Sequence, residues 1–196
     1  RDPGCVLRLF YLEANTRQAG PFCGELARVR KPYRMVPEED LERISGTWHH
    51  GGLVAVTSRP VPVRVQPGDL LRWAAQGRPV LFLDRVSNHH NLGAIARSAA
   101  FFGINQIVLS EHRDQAMPGE ATYRIAEGGM EDVNLTLARD PVTVLRAAQR
   151  HFTTVATVER GDSEPPENVP VLRRRPWFLA LGNEEAGLSR EVSRAC

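Results

Sequence analysis

Two stretches of this 196-residue chain set polar and charged side chains directly after apolar runs. Residues 84–97, DRVSNHHNLGAIAR, follow Val80-Leu81-Phe82-Leu83, and residues 182–188, GNEEAGL, follow Trp177 to Leu181. Together they offer an amide at Asn91, a guanidinium at Arg97, a carboxylate at Glu184 and, at Gly182, a residue that lets the backbone turn sharply and a ligand approach the main chain. A guanidinium close to a strand end can grip phosphate or offset developing negative charge, whereas it is a poor base because it stays protonated in proteins. Each residue also has a plainer reading. Asn91 is a good N-cap, with Gly103 as the matching C′ residue. Arg97 can snorkel beside the apolar stripe of Leu92, Ile95, Ala96, Ala99 and Phe102, and Glu184 can be an acidic lead-in to a helix.

Other chemistries lack their residues. Gly93 has no partner glycines, so the dinucleotide fingerprint is missing, as are the P-loop, the Gly-x-Ser-x-Gly elbow and His-Glu-x-x-His. His49-His50 and His89-His90 chelate poorly as adjacent pairs, so no metal is expected. A histidine beside a glycine-containing loop, such as His90, could instead meet phosphate or ribose. Cys5, Cys23 and Cys196 are too few and too widely spaced for a disulfide framework and read as ordinary thiols.

The elements that must position these residues follow from periodicity. Apolar runs of strand length are expected at Val80–Leu83, Gln106–Leu109, Val133–Leu137, Thr153–Val158 and Trp177–Leu181, with helices at Leu92–Phe102, Val142–Arg150 and Leu188–Ala195. Strands apolar on both faces, alternating with helices, imply an α/β domain with a mostly parallel sheet, which binds ligands beyond the carboxyl ends of its strands. Upstream, strands near Val6–Leu12 and at GGLVAVTS, an extended Tyr33–Val36 and helices at Phe22–Val29 and PEEDLERIS suggest a smaller α/β unit. Pro37 opens the second of those helices, and Glu38, Glu39 and Asp40 fill its first turn, where the macrodipole favours negative charge. The proline-rich SRPVPVRVQPGD reads as an extended linker. The domain boundaries are then 1–58, a linker over 59–78, and 79–196.

The chain carries a net charge of +2, and that surplus falls within the first sixty residues. This permits phosphate contacts without arguing for them, since clustering matters more than the total. Lys31 is the only lysine, so nearly all positive charge is guanidinium. No apolar run approaches the roughly 20 residues of a membrane span, and the first residues hold no secretory h-region, so no membrane partner and a cytoplasmic address are expected.

Taken in order, the two stretches resemble the SpoU (TrmH) branch of the SPOUT RNA methyltransferases. The first motif stands here as Asp84, Asn91-Leu92-Gly93-Ala94 and Arg97, and the second as Gly182-Asn183-Glu184-Glu185-Ala186-Gly187-Leu188. Between them, IAEGGMEDVNL resembles the family's Gly-Ala-bearing helix and following strand. Residues 5–57 look like its amino-terminal RNA-binding domain.

The resemblance implies a SPOUT trefoil-knot fold, homodimers, and transfer of a methyl group from S-adenosylmethionine to a ribose 2′-hydroxyl of tRNA or rRNA. It assigns Arg97, Asn91 and Glu184 to catalysis, with Glu184 orienting Arg97 or Asn91. Leu181, Gly182, Asn183, Glu184 and Thr157 are assigned to the cofactor. Arg17, Arg28, Arg30, Lys31, His49 and His90 become candidate RNA contacts. The family's third motif, a Ser-Leu-Asn segment that closes the knot, would lie beyond Cys196, so the chain is expected to be a piece of a longer protein. A non-catalytic RNA-binding relative is the alternative function, and a plain NAD- or ATP-dependent enzyme a more remote one.

Overall fold

The computed structural model describes residues 3–58, 61–158 and 175–196. The chain divides into two compact units, Arg1–Val61 and Pro62–Cys196. The boundary lies close to the expected end of the first domain, and Arg59 and Pro60 of the expected linker lie outside the described residues.

In the first unit, β1 (Val6–Tyr11) is central. It leads into α1 (Thr16–Arg28), β2 (Tyr33–Met35), α2 (Glu38–Ser45) and β3 (Leu53–Thr57). β2 pairs with β1 in parallel and β3 pairs antiparallel, with a register shift between Val6 and Arg8. Leu9, Ala19, Leu26, Val36 and Leu41 bury a small core. α2 begins as expected, after Pro37 and with three acids in its first turn. α1 starts six residues ahead of the expected Phe22 and carries Pro21 inside it.

The second unit opens with β4 (Val63–Arg64) and α3 (Pro67–Ala75). This corrects the linker expectation. Val63 and Arg64 pair with the edge of the sheet, where proline neighbours are tolerated, and Pro67 takes the first helical position, where its missing N–H costs nothing. Arg64 grips Glu111 in a bidentate pair at 2.8 and 2.6 Å, which fixes the edge strand. That hydrogen-bonded pair holds the Glu111 carboxyl below its ordinary range and raises the guanidinium.

The remaining elements are β5 (Val80–Leu83), α4 (His89–Phe101), β6 (Gln106–Ser110), α5 (Glu120–Ala126), β7 (Asn134–Ala138), α6 (Pro141–Ala148), β8 (Thr153–Ala156), β9 (Trp177–Leu181) and α7 (Arg190–Arg194). The strands form one sheet in the order β4-β7-β6-β5-β9-β8, and every pairing is parallel. The expected α/β class with a parallel sheet and a preceding small α/β unit is what the chain adopts. Several bounds shift: β8 ends at Ala156 rather than Val158, and the last helix starts at Arg190 rather than Leu188.

Alternation along β5 shows why its run is wholly apolar. Val80 and Phe82 pack with Trp73, Leu145, Phe152 and Phe178 on one face. Leu81 and Leu83 pack with Leu92, Ala96, Ile107 and Leu109 on the other. Both faces are covered, as a central parallel strand requires. No helix among the described residues is long and apolar enough to cross a membrane.

Candidate functional site

Strand order locates the site. From β5 the chain builds outward through β6 and β7, then crosses to β8 and returns as β9 on the other flank of β5. The crevice beyond the ends of β5 and β9 is therefore a topological switch point, where doubly wound sheets bind ligands. Leu83 and Leu181 are register partners, so the loops starting at Asp84 and Gly182 leave the sheet side by side.

Hydrogen bonds lock these loops together. The Asp84 N–H donates to the Leu181 carbonyl at 2.9 Å. The Asp84 carboxylate, only 3% exposed, accepts the Ser189 N–H at 2.7 Å, and Ser189 in turn caps α7. Asn183 is fully engaged. Its Nδ2 donates to the Arg85 carbonyl at 3.0 Å, with Ser87 Oγ at 3.4 Å and Glu184 Oε2 at 3.3 Å, and its Oδ1 accepts the Glu185 and Ala186 N–H groups. Its own N–H and C=O pair with Gly187. Asn183, expected to offer backbone to a cofactor, thus has both main-chain groups committed to shaping the loop.

On the other flank, buried Gln115 grips Val86 from both sides. Its Oε1 accepts the Val86 N–H at 3.2 Å and its Nε2 donates to the Val86 carbonyl at 3.0 Å. Between these holds Arg85 adopts φ 59°, a left-handed conformation that costs a non-glycine residue on the order of 1–3 kcal/mol. Its N–H donates to Ser110 Oγ at 3.0 Å. Such a strained residue persists because its surroundings over-determine it.

Asn91 is not the N-cap. Asn88 takes that position, its side chain accepting the His90 N–H at 2.8 Å, and the helix begins three residues earlier than expected. This frees the Asn91 amide, whose Nδ2 donates to Glu184 Oε1 at 2.5 Å. The Glu184 carboxylate sits beside the first turn of α4, where the macrodipole favours an anion. Glu184 thus contacts Asn91, one of the two residues it is expected to orient.

Arg97 does not meet Glu184. It stands six positions beyond Asn91, about 120° around the helix from it, and its guanidinium pairs with Glu127 at 3.1 Å. Within one chain, then, Arg97 is paired with Glu127 and Glu184 with Asn91.

Glycines fix the surrounding packing. A Cβ on Gly182 would stand 2.2 Å from the Gly187 carbonyl carbon and the Leu188 nitrogen, both backbone, so no side chain fits. Gly93 lies similarly against α5, with the Thr122 carbonyl 2.6 Å from such a Cβ. Thr157 lies just past β8, and its N–H and Oγ1 both donate to the Ala180 carbonyl at 3.0 Å. The structure therefore gathers Thr157, Leu181, Gly182, Asn183, Glu184 and Asn91 at one edge of the sheet. His90 is exposed on the first turn of α4. A cavity of about 390 Å³ lined by Arg72, Trp73, Gln106 and Thr136 lies near the amino-terminal ends of β6 and β7, away from these loops.

In the first unit, Arg17, Arg30 and His49 are exposed. Arg28 is exposed but paired with Glu25 at 2.6 Å. Lys31 is half-buried and donates to the Gly4 carbonyl at 2.5 Å, which gives it a structural task. Trp48 is 73% exposed, its ring tilted against that of His49 with centroids 3.6 Å apart, and sequence reasoning misses it. An aromatic adjoining a histidine pair was the available signal. Glu38, Glu42 and His50 bring ligand-type atoms within 4.8 Å of one another. However, His50 Nδ1 accepts the Gly52 N–H at 3.1 Å, which places the proton of the neutral ring on Nε2 and opposes metal ligation there.

Residues 78–196 match the model of the SpoU rRNA Methylase family, and residues 2–62 match that of the RNA 2′-O ribose methyltransferase substrate-binding domain. The chain is 30% identical over 189 residues to the uncharacterized tRNA/rRNA methyltransferase YfiF of Escherichia coli O157:H7, covering 95% of this chain and 52% of that protein. It is 31% identical over 196 residues to an uncharacterized tRNA/rRNA methyltransferase of Haemophilus influenzae, covering 98% and 54%. The chain thus spans about half the length of the curated relatives it matches. Among solved structures, an rRNA methyltransferase from Sinorhizobium meliloti superposes with a TM-score of 0.75 at 21% identity, covering 100% of this chain and 71% of that one. The SpoU methyltransferase AviRb from Streptomyces viridochromogenes in complex with AdoMet gives 0.69 at 23%, covering 97% and 70%. At these identities the likeness is one of fold.

Proposed function

The chain belongs to the SpoU rRNA Methylase family, and from that membership we propose that it transfers the methyl group of S-adenosylmethionine to a ribose 2′-hydroxyl in tRNA or rRNA. The observation that carries this reading is the Asn91–Glu184 hydrogen bond, which couples the two motif loops at the switch point of the sheet. The 2′-hydroxyl is supported by the match of residues 2–62 to a ribose methyltransferase substrate-binding domain. The cofactor is supported by the AdoMet complex of a protein with the same fold.

The residues present fit such a cofactor. Thr157 and Leu181 stand at adjacent strand ends, and Gly182 keeps side-chain bulk out of the turn beside them. Thr157, Leu181, Gly182, Asn183 and Glu184 are the residues that hold the ligand, Asn183 through the loop it shapes. S-adenosylmethionine supplies a methyl group activated by its sulfonium.

The chain's own task is to place the attacking oxygen. A ribose hydroxyl ionises far above neutral pH, so alignment supplies much of the rate. Asn91, held by Glu184, orients the ribose. Arg97 offsets the charge developing on the oxygen or binds the neighbouring phosphate. Homodimerisation belongs to the proposal, because in one copy Arg97 and the Asn91–Glu184 pair leave α4 on different sides. Arg17, Arg30, His49 and Trp48 on the first unit engage RNA, which is recognised through phosphates, 2′-hydroxyls and unstacked bases.

Calorimetry of the full-length protein with S-adenosylmethionine tests the reading. Binding is expected. Its absence leaves an RNA-binding protein without methyl transfer and overturns the proposal.

A further inference from the structure

The partner of Arg97 is set by backbone geometry at both ends. Glu127 caps α5 with φ 47°, in the left-handed region, and its N–H donates to the Arg124 carbonyl. Two residues on, Gly129 presses against α4, where a Cβ would stand 2.8 Å from Arg97 Cα and 3.2 Å from the Ala96 carbonyl oxygen. The turn at Gly129–Glu131 is therefore seated on the helix at the point where Arg97 leaves it, and the Glu127 carboxylate is delivered to the guanidinium at 3.1 Å.

This contact is built to be broken. The Arg97 and Glu127 side chains are 53% and 69% exposed, so water screens their attraction and a denser anion can replace the carboxylate. We propose that Glu127 is the positioning residue of Arg97: it holds the guanidinium beside α5 in the RNA-free protein and competes with an RNA phosphate for it, thereby setting the affinity for RNA. The inference rests on the reading of Arg97 as the cation that meets RNA.

The test uses the full-length protein and Glu127→Gln, which keeps shape and backbone but removes the charge. With bulk tRNA or bulk ribosomal RNA from cells lacking the protein, KM for RNA is expected to fall about two- to fivefold while kcat is unchanged. The gain is expected to shrink toward nothing as salt rises, because screening releases Arg97 in the parent protein too. In an Arg97→Gln background, where RNA affinity is read by filter binding because methyl transfer is lost, the same substitution is expected to change nothing. An unchanged KM in a protein that methylates RNA overturns the role of Glu127 and leaves the proposed function standing. An equal gain in the Arg97→Gln background also overturns it, since the carboxylate then repels RNA directly. Failure of the parent protein to bind or methylate either RNA overturns both readings.

Discussion

The amide of Asn91 and the carboxylate of Glu184 meet at 2.5 Å although they stand 93 positions apart in the chain. Each is placed by its own loop. Asn88 caps α4 and releases Asn91, while the Asn183 turn projects Glu184 toward the helix start. The contact therefore reports whether both loops are in place.

If the pair works as a unit, Asn91→Ala and Glu184→Ala each lower kcat/KM for methyl transfer by about ten- to a hundredfold, the cost of losing alignment. The double substitution is expected to cost little more than either alone. Steady-state kinetics on the four proteins gives the coupling, and simple additivity would contradict it.

Gly182→Ala places a methyl group against the backbone of Gly187 and Leu188. Main chain cannot swing aside as a flexible side chain can. A loss of about 1–3 kcal/mol in urea unfolding is expected, together with loss of S-adenosylmethionine binding by calorimetry. A stable variant that binds normally would show that the turn is not the cofactor's seat.

Much of this was legible in the sequence. Runs such as Val80–Leu83, apolar at every position, announce a strand buried on both faces, and the residues placed just after them mark the carboxyl ends where ligands bind. Strand order was not legible, because an apolar run does not say which neighbour it pairs with; β9 could not be placed between β5 and β8 by periodicity. The cap of α4 was misplaced because Asn88 and Asn91 are chemically identical, and only backbone geometry chooses between them. Residues 63–75, within the expected linker, hide their edge strand and helix behind prolines. The partner of Arg97 is the left-handed cap just past a short helix, a position that periodicity does not mark, and an exposed tryptophan such as Trp48 has the same sequence signature as a buried one.

The N-cap of α6 gives a pH dependence with a definite sign. Hydrogen bonds from the Thr143 hydroxyl and N–H hold the Asp140 carboxyl below its ordinary range. With the folded value depressed, its stabilisation is complete above the unfolded value and is lost as pH falls through the folded one. Asp140→Ala is expected to cost about 0.5–2 kcal/mol at pH 7 and progressively less as the medium becomes more acid than the ordinary aspartate range. Thermal unfolding across that range checks it, and a pH-independent difference would contradict the assignment.

Trp48 offers an exposed ring beside His49. If it stacks on an unpaired base, Trp48→Ala weakens RNA binding by about 1–3 kcal/mol and leaves S-adenosylmethionine binding unchanged. Filter binding with bulk tRNA and ribosomal RNA measures this, and an unaltered affinity for both would remove Trp48 from the interface.

The proposed function requires the loops of β5 and β9 to direct a methyl group to a ribose oxygen. Its most direct test incubates the full-length protein with methyl-labelled S-adenosylmethionine and RNA from cells lacking the protein, then digests the RNA to nucleosides. Label is expected in a 2′-O-methylated nucleoside, abolished by Arg97→Ala in a protein that still folds. Label on a base, or undiminished transfer by that variant, would contradict it.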